Sequence, residues 1–267
     1  IFEDQTPQGT SLPNWLPTQT AAFLRIGFSD AEKFWQDAQS EESREKLDDM
    51  LDIANLDSED FQDCLGEELG WACANYQAGA FQHQWLFAKI TNQELLDEHL
   101  AQLQSSSVVL LDSNTHWKAF PHHVIGQVPL PQFPKLLFGQ PLGDLMHTPS
   151  SFFFTQIGEY WVIANSADAI NVLLEALATQ HTLAQNFSQK DLEKLAQSHH
   201  ISGYIQPAYL QDATNDALSE HWKVYFWPYR RQFNDWKQAV FTLDFEADRA
   251  WGMCQQNVAE KYLADSD

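Results

Sequence analysis

A strand that runs directly into a capped amphipathic helix occurs twice in this chain, and this pattern constrains the fold more than any other feature. The first copy is the hydrophobic run 85–91, followed by a helical pattern over 92–103. The second is the run 161–166, which ends at Ser166 and is followed by a helical pattern over 167–178. A short apolar run indicates a strand, and a Ser or Thr before a 3.6-residue repeat indicates the first turn of a helix.

Another strand precedes each copy, so that each becomes a hairpin followed by a helix. The predicted hairpins pair 69–77 with 82–90 and 151–157 with 160–165, and their short turns make both antiparallel. Hairpins dominate over crossovers along the whole chain. We therefore predict an α+β fold, a mostly antiparallel sheet with helices packed on one face. The recurrence also suggests a pseudo-twofold repeat of the hairpin–helix unit.

The length and hydrophobic content allow one large domain. The chain has 267 residues, of which 44% are hydrophobic, and this is enough to bury a core without disulfides or metals. We predict a polar N-terminal tail over 1–17 and a single α+β domain over 18–267, with 18–128 and 150–267 as its halves if the repeat is real. A start at Ile1 rather than Met suits a processed export product or a trimmed chain.

The charge is strongly acidic. Asp and Glu total 37 against 15 Lys and Arg, for a formal net charge of −22. Such a field repels nucleic-acid phosphates and anionic membrane surfaces, so we predict no nucleic-acid partner. The sequence contains no apolar run near the roughly 18 residues that a membrane-spanning helix needs, so we predict no membrane span in this segment.

Three cysteines leave two interpretations open. Cys64 and Cys73 lie nine positions apart and Cys254 is remote, and an odd number excludes a fully paired intramolecular set. Either Cys64 and Cys73 form one disulfide in an oxidising compartment, or all three behave as small buried hydrophobic residues.

Motifs for catalysis, metals and cofactors are missing from the sequence. It has no Walker loop, GxGxxG, HExxH or GxSxG. On a strand, His116 and His122 would face one side and His123 the other, which leaves too few ligands for zinc. The histidine pair at 199–200 has no further candidate ligand next to it in the sequence. We therefore predict no metal, no cofactor and no catalytic residue, and carboxylates are too abundant to single out a pair.

The segment 221–237 is the sharpest local anomaly, with seven aromatic and four basic residues in an acidic chain. One interpretation is structural: the aromatic side chains form an apolar stripe that packs on the sheet. The other is a binding surface, because aromatic residues and arginine are enriched in binding hot spots. On the second interpretation the binding residues are Trp222, Tyr225, Trp227, Tyr229, Arg230 and Arg231.

Several short segments between about 20 and 210 resemble a family of exported bacterial proteins known only as a domain of unknown function, in its Bacteroidetes-type versions. They are Leu12-Pro13, Leu16-Pro17, Thr20, Arg25-Ile26, Phe34-Trp35, residues 64–68, Thr182-Leu183 and residues 203–207. The resemblance implies an exported, periplasmic or cell-envelope location and assigns no catalytic residue. The acidity and the aromatic segment are not part of that pattern.

Together these observations favour a non-enzymatic protein over an enzyme. We predict a binding or scaffold module of the cell envelope whose partner is another envelope protein or an envelope ligand. Two alternatives stay open at this point: a hydrolase whose acidic residues line a cleft, and a purely structural subunit of an envelope assembly.

Overall fold

Ten strands form one sheet in the described part of the chain, which comprises residues 2, 5–105, 110–112, 125–128, 130, 132–146, 151–217, 236–246 and 249–258 of a computed structural model. The strands are β1 (Thr20–Gly27), β2 (Leu65–Gln77), β3 (Ala80–Ile90), β4 (Leu110–Asp112), β5 (Ile125–Val128), β6 (Phe152–Ile157), β7 (Tyr160–Ala164), β8 (Ile201–Ile205), β9 (Trp236–Glu246) and β10 (Arg249–Val258). Their order across the sheet is β10-β9-β8-β1-β2-β3-β7-β6-β5-β4. Each of these neighbouring pairs is antiparallel.

Several of the helices begin where the sequence supplies a capping side chain, although the helix that starts at Phe133 does not. The helices of the described ranges are α1 (Ala31–Ala38), α2 (Glu41–Leu51), α3 (Ser58–Gln62), α4 (Gln93–Ser105), α5 (Phe133–Gly143), α6 (Ala167–Ala178), α7 (Gln189–Ala196) and α8 (Pro207–Ala217). Asp30, Ser40, Ser166 and Ser188 each accept a hydrogen bond from a backbone N–H in the first turn of the helix that follows. Such caps satisfy donors that the helix itself leaves unpaired. None of the helices in these ranges combines the length and hydrophobicity needed to cross a membrane.

The central strands are apolar on both sides. In β3, Leu86 and Ala88 pack in a core shared with α1 to α5 on the first face of the sheet. Trp85 and Phe87 of the same strand pack in a second core with α6 on the opposite face. All five residues of β7 are buried. A strand buried on both sides reads as a continuous hydrophobic run rather than an alternating one.

The predicted α+β class and the antiparallel sheet are confirmed, whereas the expected placement of all helices on one face differs from the structure. Helices lie on both faces because the apolar runs of β3 and β7 leave two surfaces to cover. This arrangement also limits the proposed repeat. The two hairpins meet through antiparallel pairing of β3 with β7, centred on Phe87 and Val162. However, α4 packs on the first face and α6 on the second, so a twofold axis that relates the hairpins does not relate their helices.

Residues 5–17, predicted as part of a polar tail, lie against the sheet. Leu12 and Leu16 are buried in the second core, and the Gln8 backbone forms an isolated bridge with His199. The Gln5 side chain is also buried: its Oε1 accepts hydrogen bonds from the backbone N–H groups of Ser29 (2.9 Å) and Asp30 (2.8 Å). This N-terminal segment therefore covers the end of β1 and the start of α1. The single-domain organisation over 18–267 stays a prediction.

Candidate binding surface

The six residues predicted to bind a partner fall outside the described part of the chain. Trp222, Tyr225, Trp227, Tyr229, Arg230 and Arg231 all lie between Ala217, the last residue of α8, and Trp236, the first residue of β9. The described chain therefore resumes at the end of the aromatic segment, in the terminal hairpin of the sheet. This hairpin is where a surface connected to that segment can be described.

The terminal hairpin consists of β9 and β10, and β10 is an edge of the sheet. β9 pairs with β8 on one side and with β10 on the other. Among the described strands, β10 pairs with β9 alone. Its ten residues, Arg249 to Val258, make it much longer than β4, the three-residue strand at the opposite edge. A long edge strand presents a row of backbone N–H and C=O groups that can pair with another chain.

Large apolar side chains are exposed on this hairpin. Trp251 is 48% exposed, Met253 is 46% exposed and Leu243 of β9 is 37% exposed. Trp251 pairs with Asp244 and Met253 with Thr242, so both side chains project on the second face, and Leu243 projects on the first. Proteins commonly protect such edges with charged residues, prolines or short strands. Residues 249–258 contain one charged side chain, Arg249, and no carboxylate, although the whole chain has 37 Asp and Glu.

One half of β10 is held from the second face by α7. The Gln255 amide donates to Asp191 Oδ1 at 2.9 Å and its Oε1 accepts a hydrogen bond from Lys194. Asp191 is fixed in turn by Ser188, whose hydroxyl donates to its Oδ2 at 2.8 Å. These contacts position the backbone of β10 and leave Trp251 half exposed beside them. The terminal hairpin is therefore held against α7 and does not project freely from the sheet.

A histidine–carboxylate cluster lies next to the hairpin. Asp244 accepts a hydrogen bond from His199 Nδ1 at 2.8 Å and from the His200 backbone N–H at 3.2 Å. His200 Nδ1 accepts from the Phe245 N–H, so the ring proton is on Nε2, which donates to the Gln5 carbonyl at 3.0 Å. His200 therefore joins β9 to the N-terminal segment.

The same cluster tests one form of the hydrolase alternative, a nucleophile activated by histidine. A nucleophilic enzyme would need a hydroxyl or thiol within reach of the histidine that the carboxylate orients. His199 Nε2 is buried and has no hydrogen-bond partner among the described residues. Its backbone carbonyl accepts a hydrogen bond from Arg25 Nη1 at 2.6 Å. The pair His199–Asp244 thus ties β8, β9 and β1 together, and within the described residues no hydroxyl or thiol is hydrogen-bonded to His199 Nε2.

A buried ion pair occupies the second face near β1. Arg25 Nε lies 3.3 Å from Glu68 Oε1, and both side chains are inaccessible to solvent. Thr10 and Tyr160 donate hydrogen bonds to the Glu68 carboxylate, the latter at 3.0 Å. Burial raises the pKa of Glu68, while Arg25 and these two hydroxyls act in the opposite direction. The carboxyl is enclosed on all sides by its partners, so we interpret it as structural rather than as a catalytic acid.

The described ranges contain neither a metal-binding cluster nor a disulfide. Within them, no group of three or more His, Cys, Asp and Glu side chains is arranged to hold a metal ion, and His116, His122 and His123 fall outside. Cys64, Cys73 and Cys254 are free thiols. Burial raises the pKa of Cys64 and of Cys73 to about 12, so both are inert thiols at neutral pH. The structure therefore has Cys64 and Cys73 unbonded and buried, whereas Cys254, also expected to be buried on the interpretation without a disulfide, is exposed.

Sequence reasoning missed Trp251, Met253 and Leu243 as surface residues. Period-2 alternation over 238–246 and 249–256 indicates two terminal strands, but alternation alone does not show which of their side chains are exposed. Local charge could not have identified them, because runs without a carboxylate are longer elsewhere in the chain, for example over 5–29, 69–93 and 113–143. Their exposure depends on the position of β10 at the edge of the sheet.

Comparison with known proteins gives little. No protein-family model matches the chain, and no curated protein matches it. Among solved structures, the chain is similar to one described as the structure of crystal form III of TP0453, with 8% sequence identity and a TM-score of 0.45. The match covers 92% of this chain and 79% of that chain. We draw nothing from a likeness at this level, and these comparisons assign the chain to no family.

Proposed function

We propose that this protein is a non-enzymatic binding module of the cell envelope that recognises another protein through its terminal hairpin. The partner contributes an extended segment that pairs with the backbone of β10 and covers Trp251 and Met253. Trp222, Tyr225, Trp227, Tyr229, Arg230 and Arg231, which precede β9 in the chain, extend the same contact. The envelope location is supported by the sequence resemblance to exported bacterial proteins.

The exposed edge of β10 is the single observation that carries this proposal. Strand addition uses main-chain hydrogen bonds for affinity and alternate side chains for specificity. β10 offers both: an unpaired edge among the described strands, and exposed Trp251 and Met253 at alternate positions on one face. Tryptophan is also among the residues most enriched at interface hot spots.

A different protein fits this edge better than a second copy of the chain. Pairing β10 with β10 of a second copy would bring together two molecules that each carry a formal charge of −22. Repulsion between molecules of like charge opposes such a contact at low and moderate ionic strength. A partner without that acidity meets no such barrier.

Site-specific crosslinking tests the proposal. A photoreactive amino acid at position 251 of the full chain in its native host should crosslink to one partner protein, and the same group at position 209 should not. Tyr209 on α8 is a matched control because it is an aromatic residue with similar exposure, 45%. The pair of substitutions Trp251→Lys and Met253→Lys should abolish copurification of the crosslinked partner, whereas Tyr209→Lys should leave it intact. Equal crosslinking at both positions, or none at 251, would refute the assignment.

The aromatic segment needs its own variant. If it extends the contact, Trp227→Ala combined with Arg230→Ala should weaken binding of the partner captured at position 251. Unchanged copurification would remove these residues from the interface and leave the β10 contact in place. Native mass measurement of the complex then separates a reversible binding module from a permanent structural subunit, since only the latter stays associated on dilution.

A further inference from the structure

A cavity of about 460 Å³ lies between α1, the first turn of α2, α3 and the start of β2, on a different part of the molecule from the terminal hairpin. This volume is in the range of small-molecule sites. Its lining includes Trp35 of α1 and Arg44 of α2. It also includes four carboxylates, Glu32, Glu59, Asp63 and Glu67. Trp35 and Arg44 are more buried than the four carboxylates, and this difference indicates which ligand the cavity could accept.

Trp35 and Arg44 each have a buried N–H donor without an acceptor. Trp35 is 1% exposed, and its Nε1 has no hydrogen-bond partner among the described residues. Arg44 Nε is buried and likewise unpaired in the described part of the chain. Indole and guanidinium nitrogens can only donate. Leaving a buried donor without an acceptor costs about 1–3 kcal/mol, and more for a charged group. Both donors belong to side chains that line the cavity, and an anionic oxygen bound there would supply the missing acceptor.

The position of Trp35 is fixed by its neighbours. Its ring packs edge-on against Phe34 with centroids 5.4 Å apart, and edge-on against Phe28 at 6.4 Å. Phe28 and Phe34 are themselves stacked at 4.0 Å. On the opposite wall, Gln62 donates from its amide to Gln39 Oε1 at 2.8 Å. The unpaired Nε1 thus belongs to a rigid side chain, and ligand binding would not need to order it first.

The carboxylates determine what else the ligand must carry. All four of these residues are exposed, so they surround the cavity as a negatively charged rim. A simple anion would be repelled by this rim, and a simple cation would leave Trp35 and Arg44 without an acceptor. A molecule that carries both charges satisfies the two conditions: its carboxylate meets the interior donors and its ammonium group meets the rim.

We propose that this cavity binds a small zwitterion of the amino-acid class, either a free α-amino acid or a short peptide. Trp35 Nε1 and Arg44 hold its carboxylate, and the exposed acids hold its ammonium group. The site is independent of the terminal hairpin, so the protein-binding proposal can fail without affecting it.

Calorimetric titration of the full chain with chemically matched probes tests this inference. L-leucine should bind, and both N-acetyl-L-leucine, which lacks the ammonium group, and L-leucinamide, which lacks the carboxylate, should bind at least about tenfold more weakly, as expected for loss of a charge-assisted contact. L-leucyl-glycine distinguishes the two sources, because tighter binding than L-leucine indicates a peptide and weaker binding a free amino acid.

Variants connect the binding to the named side chains. Arg44→Gln should reduce the affinity for the bound probe by about 10- to 100-fold. Trp35→Phe should reduce it by several-fold, because it keeps an aromatic ring and removes only the N–H donor. Arg249→Gln, which makes the same charge change on β10 outside the cavity, should have no effect. Circular dichroism confirms that each variant is folded.

Three results would overturn the inference. They are no binding of L-leucine or of the dipeptide at millimolar concentration, equal binding of one of the blocked analogues, and binding that Arg44→Gln leaves unchanged. Equal binding of N-acetyl-L-leucine would mean that the cavity takes an anion. Equal binding of L-leucinamide would mean that the rim alone takes a cation.

Discussion

Arg25 is a charged side chain that is completely buried, and its surroundings explain how it can be there. Its guanidinium donates to the His199 carbonyl at 2.6 Å and to the Gly9 carbonyl at 2.9 Å, and it pairs with Glu68. Gly27 contributes by lacking a side chain, since a Cβ at that position would collide with the guanidinium. A buried charge of this kind is tolerated when an opposite charge and hydrogen bonds compensate for its lost hydration.

Removing one partner of the Arg25–Glu68 pair should therefore destabilise the protein strongly. We expect Glu68→Gln to lower the free energy of unfolding by roughly 3–5 kcal/mol, because it leaves the Arg25 charge buried without compensation. Glu42→Gln is the matched control: it removes the same charge from the exposed pair Lys46–Glu42 and should change stability little. Urea denaturation of both variants measures the difference. If Glu68→Gln and Glu42→Gln lowered the free energy of unfolding equally, burial would not make the Arg25–Glu68 pair more important for stability than the exposed Lys46–Glu42 pair.

The burial and the contacts of individual residues were only partly predictable from the sequence. The sequence identifies Arg25 as part of β1 but gives no sign that it is buried, because Glu68 is distant along the chain and pairs with it only through the β1–β2 register. Trp35 is a similar case. Its helical spacing indicates burial, but whether its Nε1 has a hydrogen-bond partner depends on the residues that surround it in three dimensions. Spacing predicts which side a residue faces, and tertiary structure decides what it meets there.

At the scale of elements, apolar alternation and turn residues predicted individual strands and turns correctly. Thr20–Gly27 forms β1 as predicted, and the two-residue turn at Gly158-Glu159 joins β6 to β7 as predicted. Helix α5 runs from Phe133 to Gly143 with an interruption at Gly139. Gly139 adopts a φ of 64°, a conformation that glycine allows and that separates two helical segments. Strand order across the sheet could not be predicted, since it arises from contacts between distant elements.

The N-terminal segment should stabilise the first helix through Gln5. We expect Gln5→Ala to leave the partly buried backbone N–H groups of Ser29 and Asp30 without their acceptor, which costs about 1–3 kcal/mol. Hydrogen exchange followed by mass spectrometry should show faster exchange in peptides covering residues 28–34.

Gln82→Ala is the control for this prediction. The Gln82 amide donates only to backbone carbonyls of the exposed β2–β3 turn, so its loss should leave exchange near α1 unchanged. Unaltered exchange in the Gln5 variant would mean that the N-terminal segment behaves as the tail that its composition predicts.

For the whole molecule, charge and the exposed edge of β10 act in opposite directions. The edge strand with Trp251 and Met253 favours association, whereas a formal charge of −22 on each copy opposes it. Electrostatic repulsion between exposed charges depends on ionic strength: the screening length is about 10 Å at 0.1 M salt and about 3 Å at 1 M. Contacts between apolar side chains are not weakened by salt in this way.

High salt should therefore uncover self-association through the hairpin. We expect the purified chain to sediment as a monomer in about 0.05 M NaCl and to form dimers or larger species in about 1 M NaCl, where the charges are screened. The pair Trp251→Lys and Met253→Lys should remain monomeric under both conditions, because charges on an edge strand prevent edge-to-edge pairing. Tyr209→Lys, which places the same charge on an equally exposed aromatic position of α8, should associate like the parent chain. A mass that does not change with salt, or association that survives the β10 substitutions, would show that the edge of β10 is not the cohesive surface of this molecule.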